Sequence, residues 1–298
     1  MTLLTSLTET CRKGCRWPNP LCRKRNCPLK DGAENQLSNE TSTRDESLAR
    51  PPLFSALHLV IAFLTRLPLP APKLMENGAL ANSMHLFPLA GILVGGIGAI
   101  AYGLALLLLP PLLSATLAVG AMAAATGVMH EDGLADIADG FGGGVDRERK
   151  LAIMKDSRIG SYAAVTLILA QLLKVFAIAT LARPGLVAGA LIAAHALGRS
   201  AIPLAMQLLH PARENGLGAS VGRPSASTAG IAATLAMLIA AIALPVGPAF
   251  FASAAAAALT LAMSWLAWRQ IGGQTGDVLG GIEQVVEIAA LLAVVALQ

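Results

Sequence analysis

Three aspartates with helical spacing lie in the segment HEDGLADIADGFGGG, residues 130–144. With about 100° of rotation per residue, Asp132, Asp136 and Asp139 share one narrow face of a helix. Glu131 points away from that face. Carboxylates this close repel one another unless a cation joins them, and Mg²⁺ is usually held by one or two carboxylates together with substrate phosphates. The spacing therefore predicts that this face binds Mg²⁺ and a diphosphate group.

The residues that follow the aspartates add basic side chains that can bind phosphate. The segment DRERKLAIMKDSRIGSYA, residues 146–163, has a modest apolar side, which predicts a helix lying along the membrane interface. Lys155 and Arg158 are its candidate phosphate-binding residues, since arginine forms paired hydrogen bonds with phosphate oxygens. An ordinary basic loop with a solvated charged face is the alternative interpretation of these two residues.

Ionisable residues near or inside apolar segments are further candidates, because a charge in a bilayer is costly and usually faces a functional interior. In GGQTGDVLGGIEQVVE, Asp277 lies in a predicted loop, and Glu287 lies at about the second turn of the last apolar segment, pointing at a partner or a metal. Arg199 is deep in another apolar segment and is expected to belong to the site. His195 precedes it by one turn, with a site role and a core role both open. Lys174 is interpreted as a snorkelling side chain.

The elements that must hold these residues are apolar helices. The chain is 55% hydrophobic and 13% charged, with a mean hydropathy of +0.63, too high for an ordinary soluble domain. A helix that spans a bilayer needs about 20 mainly apolar residues. Seven segments qualify: 86–109, 112–129, 161–182, 186–209, 229–246, 249–268 and 281–298. We predict an all-α, polytopic integral membrane helical bundle over residues 51–298, in which the aspartate helix continues the second segment beyond the membrane. A soluble buried bundle is the alternative.

The basic residues predict which side of the membrane carries the site. Residues 53–67 are apolar but short, so we interpret them as an interfacial or re-entrant helix in addition to seven spans. The loops then alternate: one side carries nine lysines and arginines, and the other only Arg183. Lysine and arginine accumulate in cytoplasmic loops. This predicts a multi-pass protein of the bacterial inner membrane with its active face in the cytoplasm.

Residues 1–50 differ in composition, being polar, basic and poor in apolar periodicity. Low hydrophobicity with clustered charge predicts a disordered N-terminal extension, and we expect no signal peptide because the chain does not open on an apolar run with a cleavage site. The extension holds all four cysteines: Cys11, Cys15, Cys22 and Cys27. Their spacing fits common zinc modules poorly, so we expect reduced thiols. A metal knuckle and a misassigned translation start stay open as alternatives.

The motifs together resemble one known family. HEDGLADIADGFGGG and the RERKLAIMKDSRIGSY that follows are similar to the signature of the adenosylcobinamide-GDP ribazoletransferases, also called cobalamin synthases. TRLPLP, FPLAG, RENGLG and GGQTGDVLG extend the resemblance over nearly the whole chain from about residue 53. It implies an Mg²⁺-dependent membrane enzyme of the last steps of cobalamin biosynthesis. The implied reaction joins adenosylcobinamide-GDP and α-ribazole, or its 5′-phosphate, into adenosylcobalamin, or its 5′-phosphate, and releases GMP.

The resemblance also implies roles for the candidate residues. Asp132, Asp136 and Asp139 would hold Mg²⁺ on the diphosphate, and one of them would accept the proton of the ribazole hydroxyl. The other candidates are Asp277 and Glu287 at the metal, Lys155 and Arg158 at the leaving GMP, Arg199 at phosphate, and Gly216 and Gly218 at the nucleotide or the ribazole. The expected partners are both substrates and the bilayer, with other cobalamin-assembly enzymes as candidate associates and no nucleic acid.

Two other classes of membrane protein share part of this pattern. A CDP-alcohol phosphatidyltransferase also holds a metal over a diphosphate with clustered aspartates, but its D-x2-D-G-x2-A-R and G-x3-D-x3-D motif is absent from the sequence. A secondary transporter favours internal repeats and sites at the membrane midplane, whereas this chain shows no repeat and gathers its acids at one face. We therefore expect a transferase and keep both classes as alternatives.

Overall fold

The computed structural model describes residues 52–72, 78–213, 216 and 221–298; the predicted extension 1–50, its cysteines and Gly218 lie outside them. The described residues form helices and one isolated β-bridge, between Pro211 and Gln274. The α-helices are α1 (Leu53–Leu64), α2 (Ala79–Ser83), α3 (Phe87–Leu106), α4 (Pro111–Thr126), α5 (Met129–Gly143), α6 (Arg147–Ile153), α7 (Ser161–Leu181), α8 (Pro184–Leu208), α9 (Ala226–Ala243), α10 (Val246–Ile271) and α11 (Gly276–Ala296). A 3₁₀ turn, Met84–Leu86, joins α2 to α3.

Six helical runs in the described part of the chain are long and apolar enough to cross a membrane. They are Ala79–Leu106, which contains α2 and α3, and the helices α7, α8, α9, α10 and α11. α4 and α5 meet the criterion only as a pair, bent by 91°. The predicted all-α membrane bundle is confirmed, with six spans, or seven if the pair is one span. α1 has 12 residues and is about 18 Å long, shorter than the ~30 Å apolar layer of a bilayer.

The prediction that the aspartate helix continues the preceding span is wrong, because the chain turns sharply between α4 and α5. The N–H of Val128 donates to the carbonyl oxygen of Ala123, and the N–H of Gly127 to that of Ala124, which is the Schellman pattern of a helix end. Gly127 and Val128 both have positive φ, 64° and 54°. α5 is therefore a separate helix outside the six spanning runs, and the bend sets the direction of its aspartates.

α8 and α11 form the centre of the bundle. Their most apolar 18-residue windows are 78% and 72% buried, against 28–33% in the other four spans. Large apolar side chains such as Phe176 of α7 and Trp265 of α10 are exposed, as lipid-facing side chains of outer helices would be. Ionisable residues on α8 and α11 are thus shielded from lipid, which is where membrane proteins place them.

The segment after the aspartates is less helical than predicted. Asp146 caps α6 by accepting a hydrogen bond from the N–H of Arg149 at 2.8 Å, and the helix ends at Ile153. The next residues lead without regular helix to α7, which begins at Ser161. The prediction of a helix over 146–163 therefore holds only for its first half.

Candidate functional site

Four carboxylates from two helices meet at one place. α5 carries the three predicted aspartates, and the first turn of α11 adds Asp277. The helices touch where Gly133 packs on the backbone of Asp277: a Cβ at position 133 would lie 2.7 Å from the Asp277 carbonyl oxygen. The missing side chain lets Asp277 interact electrostatically with Asp132 and Asp136. We call Asp132, Asp136, Asp139 and Asp277 the aspartate cluster.

Asp136 experiences the repulsion within the cluster most strongly. Burial, followed by the carboxylates of Asp277, Asp132 and Asp139, raises the pKa of Asp136 to about 7, and the Arg213 guanidinium opposes this rise. Carboxylates that repel one another in this way favour a bound divalent cation. Oxygen donors are the ligands that Mg²⁺ prefers, so the residues present fit that ion.

The cluster is open rather than a closed metal cage. Among the described residues, the one group of three acidic or histidine side chains with ligand atoms all within 4.8 Å is His195, Glu283 and Glu287, which lies elsewhere. No three residues of the aspartate cluster bring their oxygens all within 4.8 Å of one another. A cation at the cluster would therefore share its coordination between carboxylates and substrate phosphates, as is usual for Mg²⁺.

Asp139 also has a structural role, which its spacing did not reveal. Its Oδ2 accepts a hydrogen bond from the N–H of Gly160 at 2.6 Å, and its Oδ1 accepts one from the N–H of Ala163 at 2.9 Å. These N–H groups belong to the N-cap residue and the first turn of α7, where helices leave donors unpaired and favour negative charge. Asp139 thus anchors the start of α7 against α5.

Arg213 is the basic residue whose charge lowers the pKa of Asp136. It was not among the site residues predicted from the sequence. Its Nη2 donates to the carbonyl oxygen of Leu151 at 2.6 Å, and its buried Nε has no hydrogen-bond partner among the described residues. Nearby, the N–H of Ala212 donates to the carbonyl oxygen of Gln274 at 2.8 Å, which joins this loop to the start of α11. In the sequence Arg213 was one basic loop residue among nine, and its position beside the cluster follows from contacts between distant segments, among them the β-bridge between Pro211 and Gln274.

A cavity of about 220 Å³ adjoins the cluster. Asp132, Asp277 and Arg213 line it, together with Gln274 and Thr275. Much of the remaining wall is apolar and comes from α1, the 3₁₀ turn, α3, α8 and the loop before α9: Phe63, Met84, Phe87, Ile202, Met206 and Val221. A ligand here would meet apolar surface and carboxylates at once.

The predicted basic and glycine residues lie at different distances from this cavity. Gly216 lines it. Lys155 is exposed in the turn after α6. Arg158 is exposed as well and donates to Asp156, with Nη2 2.5 Å from Oδ2; these hydrogen bonds hold the pKa of Asp156 at about 2. The structure therefore engages Arg158 with a neighbour rather than with the aspartate cluster.

A second group of ionisable residues is enclosed between α5, α7, α8 and α11. Arg199 Nη1 lies 2.9 Å from Glu283 Oε1. Lys174 Nζ lies 2.8 Å from Glu287 Oε1, and His195 Nδ1 lies 2.8 Å from Glu287 Oε2. All five side chains are at most 4% exposed. Lys174 and Arg199 already neutralise the two carboxylates, so the group has little need of a metal ion. We call these residues the buried ion network.

The buried ion network also reaches the aspartate helix. Lys174 Nζ lies 3.7 Å from Glu131 Oε1, and His130 Nδ1 lies 3.6 Å from Glu283 Oε2. Glu131 therefore points away from the aspartates, as predicted. The interpretation of Lys174 as snorkelling is wrong, because its side chain is directed into the bundle. Arg199 and Glu287 lie in this network and not in the aspartate cluster; a charge in a span was the signal that found both.

Comparison with known proteins decides the family. A family model described as cobalamin-5-phosphate synthase matches residues 56–295. This chain belongs to that family. The adenosylcobinamide-GDP ribazoletransferase of Bradyrhizobium diazoefficiens is 46% identical to this chain over 243 residues, which cover 81% of this chain and 94% of the relative. The Mesorhizobium japonicum protein of the same name is 46% identical over 237 residues, covering 78% and 90%.

The resemblance found in the sequence motifs is thereby confirmed. Identity at this level over almost the whole length of a relative applies to the membrane bundle and its loops together. No solved structure matches this chain.

Proposed function

We propose that the chain transfers the cobinamide phosphate of adenosylcobinamide-GDP to α-ribazole or to α-ribazole 5′-phosphate. The ribazole hydroxyl oxygen would bond to the phosphorus that carries cobinamide, the bond from that phosphorus to GMP would break, and the hydroxyl proton would be lost. The products are adenosylcobalamin, or its 5′-phosphate, and GMP. The observation that carries this proposal is the 46% identity over 94% of a relative that bears the ribazoletransferase name.

The aspartate cluster has the chemistry that this transfer needs. Phosphoryl transfer depends mainly on positioning and on neutralising charge at the phosphate oxygens. Asp132, Asp136 and Asp277 would hold Mg²⁺, with Asp139 as a further ligand that also anchors α7. When bound, Mg²⁺ would neutralise charge on the diphosphate. Arg213, lining the same cavity, is suited to a diphosphate oxygen.

A carboxylate of the cluster is also suited to the proton transfer. The pKa of Asp136, about 7 without a cation, falls when Mg²⁺ binds, so as a ligand Asp136 would hold the ion rather than the proton. The hydroxyl proton would go to a carboxylate of the cluster that the ion leaves unbound. Lys155 and Arg158, both exposed beyond the cluster, stay proposed for the leaving GMP, and Gly216 for the nucleotide or the ribazole.

The family favours this reaction over the two alternatives, a CDP-alcohol phosphatidyltransferase and a transporter. The Mg²⁺ requirement, the inner-membrane location and the cytoplasmic active face are parts of the proposal. They rest on the donor set of the cluster and on the distribution of lysine and arginine among the loops. Association with other cobalamin-assembly enzymes stays a prediction.

The experiment that tests the proposal is an assay of GMP release by the purified protein in nanodiscs. We expect GMP only when Mg²⁺, adenosylcobinamide-GDP and α-ribazole, or its 5′-phosphate, are all present. Asp136→Asn should lower activity at least about tenfold at ordinary Mg²⁺ concentrations, the order of the loss when a group that supports a metal site is removed. The matched control is Asp146→Asn, which alters a helix cap outside the cluster. Absence of GMP with both acceptors would contradict the proposal, and near-normal turnover of Asp136→Asn would contradict the assignment of that residue.

A further inference from the structure

The cavity beside the aspartate cluster is shaped for something smaller and less polar than adenosylcobinamide-GDP. Its volume of about 220 Å³ lies below the roughly 300–1,000 Å³ of pockets that enclose drug-sized ligands. A corrinoid macrocycle does not fit such a space. Guanine carries donors and acceptors on its edges, and burying these against the apolar part of the wall costs free energy. That part of the wall therefore suits a less polar ring better than guanine.

The apolar part of the wall suits a flat aromatic ring. Met84, Phe87 and Met206 are at most 2% exposed, and they line the cavity together with Phe63. The rings of Phe63 and Phe87 are stacked, with centroids 6.4 Å apart and planes 25° apart. A further aromatic ring packs favourably against a stacked pair of this kind, and a methionine sulfur makes favourable contacts with the edge of a ring.

We propose that this cavity binds the benzimidazole base of the ribazole substrate and that its apolar wall sets which lower base the enzyme accepts. The base is a bicyclic aromatic ring with one ring nitrogen left free when the sugar is attached. This inference rests on the proposed function, because it assumes that a benzimidazole nucleoside is the acceptor.

The polar lining of the cavity explains why the base would bind here. The sugar joined to the base must bring its hydroxyl to the diphosphate, and Asp132 and Asp277 line the same cavity. With the ring against the apolar wall, the sugar extends towards these carboxylates. The position of the base thus fixes the position of the attacking oxygen, which is how binding remote from the reacting atoms contributes to catalysis.

The inference also gives α1 a function. This helix is too short to span the bilayer, yet it supplies Phe63 and Leu64 to the cavity. Two residues beyond the end of α1, the N–H of Arg66 donates to the carbonyl oxygen of Ala125 at 2.7 Å, which ties the segment after the helix to α4. α1 would therefore close the cavity over the base rather than serve as a membrane anchor.

Two substitutions test the inference from opposite directions. Val221→Phe adds a ring to the cavity wall, and Phe63→Ala removes one; both residues are half-buried, so each change should be tolerated by the fold. The controls are Val165→Phe and Phe176→Ala on α7, whose side chains are 58% and 53% exposed. The measurements are the KM for α-ribazole, the KM for adenosylcobinamide-GDP, and kcat/KM for ribazole analogues with smaller and larger bases.

We expect Val221→Phe to raise the KM for α-ribazole at least about tenfold, the effect of one or more extra carbon atoms in an apolar pocket. The KM for adenosylcobinamide-GDP should change less than about twofold. Phe63→Ala should shift the preference towards a larger base, such as a naphthimidazole, by about tenfold relative to wild type. Both control variants should match wild type.

The outcomes separate this inference from the proposed function. If wild-type protein releases no GMP, the proposed function fails, and the inference fails with it because it rests on that function. If wild type is active but Val221→Phe and Phe63→Ala leave the ribazole KM and the base preference unchanged, the cavity does not hold the base. A Val221→Phe effect confined to the KM for adenosylcobinamide-GDP would equally overturn the inference.

Discussion

Gly133→Ala is the substitution whose effect the structure specifies most directly. A Cβ at this position would lie 2.7 Å from the carbonyl oxygen of Asp277, which is about 0.7 Å short of the 3.4 Å at which ordinary contact begins. The neighbour is backbone in the first turn of α11, so it cannot rotate away as a side chain would. α5 and α11 must therefore separate by several tenths of an ångström at the point where Asp277 joins the aspartate cluster.

The size of the effect follows from this displacement. Misplacing catalytic groups by about 1 Å costs roughly 100-fold, so a shift of about 0.7 Å should lower kcat about 10- to 100-fold. Overpacking of this kind costs about 1–3 kcal/mol of folding free energy. The assay is GMP release in nanodiscs, with thermal unfolding followed in parallel so that activity is compared among folded variants.

The matched control for Gly133→Ala is Gly120→Ala in α4. A Cβ at position 120 would meet nothing within 4 Å, and alanine is favoured over glycine inside a helix by about 1 kcal/mol. We expect Gly120→Ala to keep wild-type kcat and to unfold at the same or a higher temperature. If Gly133→Ala behaves like Gly120→Ala in both measurements, the packing of α5 on α11 does not position the cluster and the reasoning is refuted.

Three further predictions concern the cation and the buried ion network. Removing divalent cations with EDTA should abolish GMP release and Mg²⁺ should restore it; activity that persists in EDTA would contradict the role of the cluster. Because the pKa of Asp136 is about 7, protons compete with the cation below that pH. The Mg²⁺ concentration for half-maximal activity should therefore rise about tenfold between pH 8 and pH 6, and a pH-independent value would refute this. Lys174→Met leaves the buried Glu287 carboxylate, 2.8 Å from the lost ammonium, with His195 as its remaining partner in the network, at a cost of about 3–5 kcal/mol. Adding Glu287→Gln should recover part of the thermal stability, whereas additive losses would show that the two residues are not coupled.

The local pattern of the sequence predicts the helices and the face of α5 well. The period of 3.6 residues places Asp132, Asp136 and Asp139 together, and α5 contains all three. Apolar length identifies six of the seven predicted spans, with ends that differ by up to seven residues, because a bilayer imposes a minimum length on every spanning helix. The segment predicted at 112–129 qualifies only together with α5. These features depend on residues close together in the same segment, which is why they can be predicted from one sequence.

Features that depend on contacts between distant segments could not be predicted. The turn at Gly127 and Val128 requires two consecutive residues with positive φ, and valine gives no warning of this conformation. Arg213 reaches the cluster only through a loop that pairs with the start of α11. The cavity is built from residues of several elements that are far apart in the chain.

The two groups of charged residues show the same limit. A charge within a span indicates a functional or paired interior position, and this predicted correctly that Arg199 and Glu287 are enclosed. The presence of a charge in a span could not predict which residues of other helices that charge contacts. Asp277 and Glu287 lie on the same helix, yet one joins the aspartate cluster and the other meets Lys174, because they lie nearly three turns apart on α11.

The measurement that tests the central claim most directly follows the atoms of the transfer. Purified protein is supplied with Mg²⁺, adenosylcobinamide-GDP and α-ribazole carrying ¹⁸O in its attacking hydroxyl, and the products are analysed by mass spectrometry. We predict one GMP for each corrinoid product, with the label retained in the new phosphodiester and absent from GMP. Release of GDP, or GMP formed without incorporation of labelled ribazole, would contradict the account.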